Sequence, residues 1–237
     1  MLTSSILPFA PNILKTGRSE TALSLDGGWL MVERSLAGAL VAMAFAIAMP
    51  AWGQGYKQLQ GQCFEGANPD EKIQACTSII KANKEAAPTM ASAYFNRGLE
   101  ERRLGDNESA LRDYAQALRL QPSYVAVYNA RCFLFAIANR LQEALKDCNE
   151  ALHLDPWNQY AYDSRGFTYL KLGKLDAAIS DYNAALRIQP NRPYSMFGLG
   201  VARKRKGDVA GGNTDMDAAK KQIPGIADEF AHYGVQP

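Results

Sequence analysis

A small residue returns every 34 positions along this chain, at Ala110, Ala144, Ala178 and Gly212. A proline keeps the same step at Pro122, Pro156, Pro190 and Pro224, and an aspartate at Asp113, Asp147, Asp181 and Asp215. One unit of this size cannot bury its own apolar face, so copies must stack. A period of about 34 residues is that of helix-turn-helix arrays. Such arrays present surfaces and seldom carry bond chemistry.

The unit is clearest between Gln159 and Arg192. Tyr162, Gly166 and Tyr169 fall at i, i+4 and i+7, one face of a first helix. Leu172-Gly173-Lys174 breaks it, the glycine supplying a tight-turn conformation. Asp176 is expected to cap the second helix, where Ala178, Tyr182 and Ala185 form the next stripe. Pro190 ends it, because proline cannot continue a helix and biases its predecessor away from helical angles. The small residues are steric devices. Gly98, Cys132, Gly166 and Gly200 on the first helices, and Ala110, Ala144, Ala178 and Gly212 on the second, let the backbones of each hairpin approach. Ala117, Ala151, Ala185 and Ala219 admit the following unit, and Tyr94, Tyr128, Tyr162, Tyr114 and Tyr182 fill the remaining gaps.

These residues resemble the tetratricopeptide repeat (TPR) family over roughly 91–226. Three regular repeats (91–124, 125–158, 159–192) precede a decayed fourth (193–226). The fourth has Arg203 at an aromatic place and Gly211-Gly212 in its second helix, which weakens that helix by about 1 kcal/mol per glycine. The resemblance implies an all-α, right-handed superhelical solenoid of antiparallel helix pairs. Upstream, residues 54–90 read as a degenerate, cysteine-bearing helical hairpin. Downstream, the stripe Ile226, Phe230, Tyr233 ends at Gly234 and predicts a short capping helix over the last repeat, with 227–237 as capping helix and tail.

The N-terminus reads as a processing signal. Leu36 to Met49 is an uncharged run of 14 residues, too short to span a membrane, and Ala51 and Gly53 offer a peptidase its small residues. Residues 31–53 are therefore expected to be a secretory signal cleaved before Gln54, with periplasmic or secreted localisation. The alternative is an uncleaved signal that anchors the protein in the inner membrane. Residues 1–30, with Glu20 and Asp26, suit no such leader, so translation is expected to begin at Met31. An exported cysteine-bearing half repeat followed by TPR units is similar to envelope proteins of alphaproteobacterial type.

Four cysteines in an exported chain make disulfides the default, with three pairings possible. Cys63 and Cys76 fall on two arms of one hairpin, and Cys132 and Cys148 on the two helices of one repeat, which favours pairing within each hairpin. A loop of this size contributes about 3 kcal/mol, mostly by restricting the unfolded chain. The alternative is that Cys132 and Cys148 are small core residues. Their spacing suits no zinc site.

The net charge is only +2 with both signs interleaved, which gives no nucleic-acid or membrane-surface footprint. Arg97, Arg131 and Arg165 sit one residue before each small position, in the period of the aspartates. They form either an anion-binding ladder or structural ion pairs, such as Arg131 with Asp113 or Asp147; the shared period favours pairing. Neither histidine, His153 or His232, has a nucleophile or carboxylate at a motif spacing. No catalysis, cofactor or metal is expected. The basic run Arg203-Lys204-Arg205-Lys206 reads as a solvated helix end.

In TPR proteins the first helices line a concave groove that binds peptides. That geometry carries onto Phe95, Leu99 and Arg102, then Asn129, Phe133 and Ala136, then Tyr160, Asp163, Phe167 and Leu170, then Phe197, Val201 and Lys204. Leu99, Phe133, Phe167 and Val201 keep the 34-residue step as one apolar row. Exposed and rimmed by Asp163, Arg102 and Lys204, such a row has the composition of a binding hot spot. The family's carboxylate-clamp variant is not matched, since Phe95, Leu99, Ala130, Tyr160 and Ser164 supply no charge or amide. The expected function is a periplasmic interaction module that binds a peptide or protein of the cell envelope, without nucleic acid and without stable membrane insertion after cleavage. The alternatives are a catalytic or non-catalytic subunit of an envelope enzyme that binds a peptidoglycan fragment or small ligand, and a structural assembly factor acting through its convex face. Oligomeric state is left open.

Overall fold

The structure is a computed structural model that describes residues 51–236, and helices are the only regular elements among them. The expected leader, and all but the last three residues of the expected signal, lie outside the described residues. The first helix, α1 (Ala51–Glu65), runs through the expected cleavage point, and α2 (Pro69–Ala82) completes a hairpin with it. Asn68 starts α2 by accepting from the amides of Asp70 and Glu71, and Asn83 ends it in the left-handed region.

Four further hairpins follow: α3 (Ala87–Arg103) with α4 (Asn107–Leu120), α5 (Val125–Ile137) with α6 (Leu141–Leu154), α7 (Gln159–Lys171) with α8 (Leu175–Ile188), and α9 (Pro193–Arg205) with α10 (Val209–Gln222). The helices α4, α6, α8 and α10 are all 14 residues long, and α5, α7 and α9 all 13. The fourth repeat is thus geometrically complete, and its decay is confined to its side chains. The turn within each pair needs one residue at positive φ, and the 34-residue step supplies it: Gly105 (88°), Asn139 (59°), Gly173 (70°) and Gly207 (103°). Each second helix stops at an extended residue (Gln121, Asp155, Gln189, Ile223) directly before the periodic proline. Capping departs from expectation. Asp106 and Asp208 accept from amides at the starts of α4 and α10, but the α8 cap position is Lys174, without a side-chain bond. Asp176 lies two residues past the cap position and pairs with Lys206 instead.

Close packing within each hairpin rests on a pair of registers 16 residues apart. A Cβ at Gly98 would stand 2.8 Å from the Tyr114 ring, one at Gly166 3.2 Å from the Tyr182 ring, and one at Gly200 2.7 Å from Met216. The second repeat places Cys132 and Cys148 at these two registers and joins them, with Cα atoms 5.4 Å apart. A disulfide there substitutes for a ring pressed onto glycine. The second disulfide joins Cys63 to Cys76 across α1 and α2 (Cα–Cα 4.8 Å). Together with Ala75, Ile79, Met90 and Ala93 it forms a small core that seals the N-terminal hairpin to α3.

Arginine and aspartate pair inside each repeat. Arg97 grips Asp113 with Nε and Nη2 at 2.6 and 2.8 Å. Arg131 holds Asp147 at 2.6 and 2.8 Å, and Arg165 holds Asp181 at 2.7 and 2.9 Å. The pairing is structural, each fork tying a first helix to its own second helix. In the fourth repeat the arginine register holds Leu199, and Arg203, one turn later, reaches Asp215 at 2.6 Å. The first helices also contact the first helices of neighbouring units, α1 with α3, α3 with α5, α5 with α7 and α7 with α9, whereas the second helices do not touch one another. The first helices therefore form the inner, concave layer.

Candidate functional site

The concave face is built by residues that point inward from α3, α5, α7 and α9. Phe133 and Phe167 pack along it with tilted rings, 5.8 Å between centroids, and Phe197 continues the row on α9. Leu99 and Tyr160 are half-buried, and Phe95 is buried against Tyr114 and Tyr124.

Exposure departs from expectation. Phe133, Phe167, Leu170, Phe197 and Val201 are all buried, none exposing more than 1% of its surface. For Phe133, Phe167 and Phe197 the cover is the C-terminal segment. The last helix, α11 (Ile226–His232), begins as a cap on the final repeat, with Ile226 fully buried. It then lies across the concave face instead of stopping at the end of the array. Phe230 packs on Phe197 (4.7 Å) and edge-on to Phe167 (5.8 Å), while Tyr233 sets its edge against Phe133 (5.5 Å) and Phe167 (6.3 Å). The segment thus covers three successive first helices. Gly234 (φ 82°) turns the chain so that Val235 donates to the Phe230 carbonyl and buries its side chain beneath the helix end.

The surroundings are cationic. Arg102 is 9% exposed and lies 5.3 Å over the Phe133 ring; its Nε has no acceptor among the described residues. Lys171 donates to the Tyr233 carbonyl at 3.0 Å, and Arg205 to that of Gln236 at 2.6 Å. Glu229 enters this field, accepting from the Tyr194 hydroxyl at 2.9 Å. Burial lifts the Glu229 carboxyl above the usual carboxylate range, although the Tyr194 and Tyr233 hydroxyls and the charges of Arg102 and His232 pull it down.

Two polar residues expected to line the groove, Asp163 and Asn129, are internal struts. Asp163 is fully buried, bonded by Arg192 (Nε, 2.8 Å) and by the Ser195 hydroxyl, so it ties α7 to α9. Burial raises its pKa, opposed by Arg192 and Ser195. Arg192 in turn lies 4.6 Å over Tyr160. Asn129 is buried and accepts from Ser164 at 2.8 Å, a link between α5 and α7. Lys204 is half-buried where α9 passes close to Gly212 of α10. The basic run lies at the end of α9 with Arg205 and Lys206 exposed, Arg203 pairing with Asp215 and Lys206 with Asp176. Both histidines are exposed. Among the described residues no group of three or more His, Cys, Asp or Glu is arranged to hold a metal ion, and no helix is long and apolar enough to cross a membrane. A pocket of about 320 Å³ lies between α1, α3 and the start of α5, lined by Phe64, Pro88, Thr89, Ser92, Asn96 and Tyr124.

Comparison with known proteins agrees with the period. A family described as "Tetratricopeptide repeat" matches residues 95–158, and one described as "TPR repeat" matches 166–207. A search of curated proteins returned no match. Among solved structures, MamA (41-end) from Desulfovibrio magneticus RS-1 superimposes with a TM-score of 0.60 at 18% identity, over 73% of this chain and 96% of that one. A tetratricopeptide repeat protein from Parabacteroides merdae gives 0.59 at 21% identity over 77% and 75% of the two chains. TTC0263, a thermophilic TPR protein of Thermus thermophilus, gives 0.58 at 19% identity over 76% and 96%. At these identities the likeness is one of fold.

Proposed function

We propose that this chain, a tetratricopeptide-repeat protein by its period, its fold and its family matches, is a protein-interaction scaffold of the cell envelope that binds a partner segment along its concave face. The observation that carries the reading is the aromatic row of α5, α7 and α9, which already accommodates a helical segment, the chain's own α11. Buried aromatic anchors beside cationic groups are the composition of a binding hot spot. The repeat architecture supports the same reading, since stacked helix pairs generate extended concave binding surfaces. The two disulfides support an oxidising compartment, in keeping with the signal expected from the sequence.

The test is site-specific photo-crosslinking in cells. A benzoylphenylalanine at Ser92 or Tyr160, on the concave layer, is expected to trap a defined polypeptide, while the same probe at the exposed Lys146 or Ser180 of the second helices traps none. Adducts from the second-helix positions alone would move the binding surface to the convex face and refute the reading.

A further inference from the structure

We infer that the partner recognised by the concave face is a short amphipathic helix with a carboxylate directly before the first of two aromatic residues spaced i, i+3, and that α11 is an intramolecular stand-in for it. This rests on the concave-face reading above and specifies its ligand. The geometry supplies three complementary features. Phe230 and Tyr233, three residues apart and hence on one helix face, fill adjacent sites formed by Phe197, Phe167 and Phe133. Glu229 brings a carboxyl against the Tyr194 and Tyr233 hydroxyls, which donate to it, within the field of the buried Arg102. Lys171 donates to the carbonyl oxygen that the end of the helix leaves unpaired, at Tyr233. An acidic, aromatic helix is therefore matched in shape, charge and polarity, whereas a basic segment meets Arg102, Lys171 and Arg205.

The stand-in is built to be displaced. A helix of 7 residues has no stability of its own, and its start has no side-chain cap. Its position depends on the buried anchors Ile226, Phe230 and Val235 and on the bonds donated by Lys171, Tyr194 and Arg205, so a ligand displaces it only by replacing those contacts. Tethering gives the tail an effective concentration of about 1 mM. A free helix with the same anchors and a Kd of about 50 μM would therefore bind the intact chain about twentyfold more weakly than a chain whose tail cannot dock.

The experiment uses the full-length chain and a fluorescein-labelled synthetic peptide with the sequence of residues 224–236. Fluorescence anisotropy is expected to show saturable binding to the Phe230→Ala/Tyr233→Ala variant and at least tenfold weaker binding to the unaltered chain. Peptides carrying Phe230→Ala or Glu229→Lys should lose binding. So should the protein variant that adds Arg102→Gln, with circular dichroism confirming its helix content. If the double variant fails to fold, hydrogen exchange of the unaltered chain decides: α11 amides must exchange far faster than those of α7, and equal protection overturns the displaceable tail. Equal peptide binding by both chains, or none by the folded variant, overturns the inference. In the latter case persisting concave photo-adducts leave the concave-face reading intact, while peptide binding without such adducts removes that reading instead. A concentration-dependent dimer dissolved by the peptide would make the occupant a second copy's tail and overturn the choice of partner.

Discussion

The arginine–aspartate fork of the third repeat offers the sharpest test of what holds the array together, because that repeat has no disulfide to mask its loss. Asp181 is 5% exposed and takes both forks of Arg165, whose side chain is 21% exposed. Replacing Arg165 by methionine keeps an apolar stem near Tyr162 and Tyr169 but strands the carboxylate. A fully buried pair broken from one side costs about 3–5 kcal/mol. With a fifth of the arginine in water, we expect about 2–3 kcal/mol, or about 5–10 °C in Tm for a domain of this size. Asp181→Leu should cost less, since the longer arginine can turn to solvent and retains its bond to Asn149. The double variant, which removes the charges together, should lose only about 1 kcal/mol, giving a coupling of about 2 kcal/mol. Urea denaturation followed by circular dichroism measures all three. Additive effects, or an Arg165→Met change under about 0.5 kcal/mol, would refute the fork as a structural strut and reopen the anion-ladder reading.

The remaining expectations concern packing and titration. Cys132→Ala/Cys148→Ala should cost about 3 kcal/mol in denaturation experiments, whereas Cys132→Gly/Cys148→Tyr, which installs the contact used by repeats one and three, should recover part of it. Gly198→Ala drives a methyl into the buried Tyr182 ring and should destabilise by about 1–3 kcal/mol, visible as a lower urea midpoint. Burial, reinforced by Asp113, pushes the Glu101 carboxyl up to about 7 against the pull of Arg97. The folded chain therefore holds a proton that the unfolded chain releases, and stability falls as pH rises from the usual carboxylate range to about 7. Glu101→Gln should flatten that fall and, after allowance for solvent screening, gain about 1–2 kcal/mol at pH 8. The raised Glu229 carboxyl has the same sign for the tail: docking weakens as pH climbs out of the usual carboxylate range, and hydrogen exchange in α11 should accelerate accordingly unless Glu229 is replaced by glutamine.

The repeat architecture was legible because each register answers a local steric demand. A positive-φ turn, a close helix crossing and a proline stop must recur wherever the unit recurs, so the 34-residue step carries them without knowledge of tertiary contacts. What escaped was the identity of partners. Gly98 and Tyr114 were both visible as periodic residues, but only their packing showed that they meet, and hence that Cys132 and Cys148 occupy the same two places. Arg203 reads as a departure from the pattern because its register belongs to an aromatic. A helix turn earlier the arginine would have been periodic, and only the three-dimensional path shows it reaching Asp215 from the next turn.

The concave face was legible in membership and not in exposure, for a physical reason. Spacing along α5 and α7 decides which residues point inward together, because that is a property of one helix. Whether they meet water is decided by whatever lies across them, and that depends on a segment about 100 residues away in sequence from Phe133. The stripe of Ile226, Phe230 and Tyr233 is equally compatible with ending a solenoid and with entering its groove, since either surface is apolar. The difference is read from reach: Ile226 closes the last repeat, but Tyr233 touches Phe133 two repeats back, which an end cap has no need to do. Asp163 follows the same logic in reverse. Its partner Arg192 lies in the connection between α8 and α9, where the equivalent places in the other repeats hold Tyr124 and Asn158, so no period could announce the pair. A carboxylate in the inner row without a periodic cation is a strut when an off-register arginine reaches it. Glu229, brought in by the tail, likewise finds its partners Tyr194 and Tyr233 outside the 34-residue step.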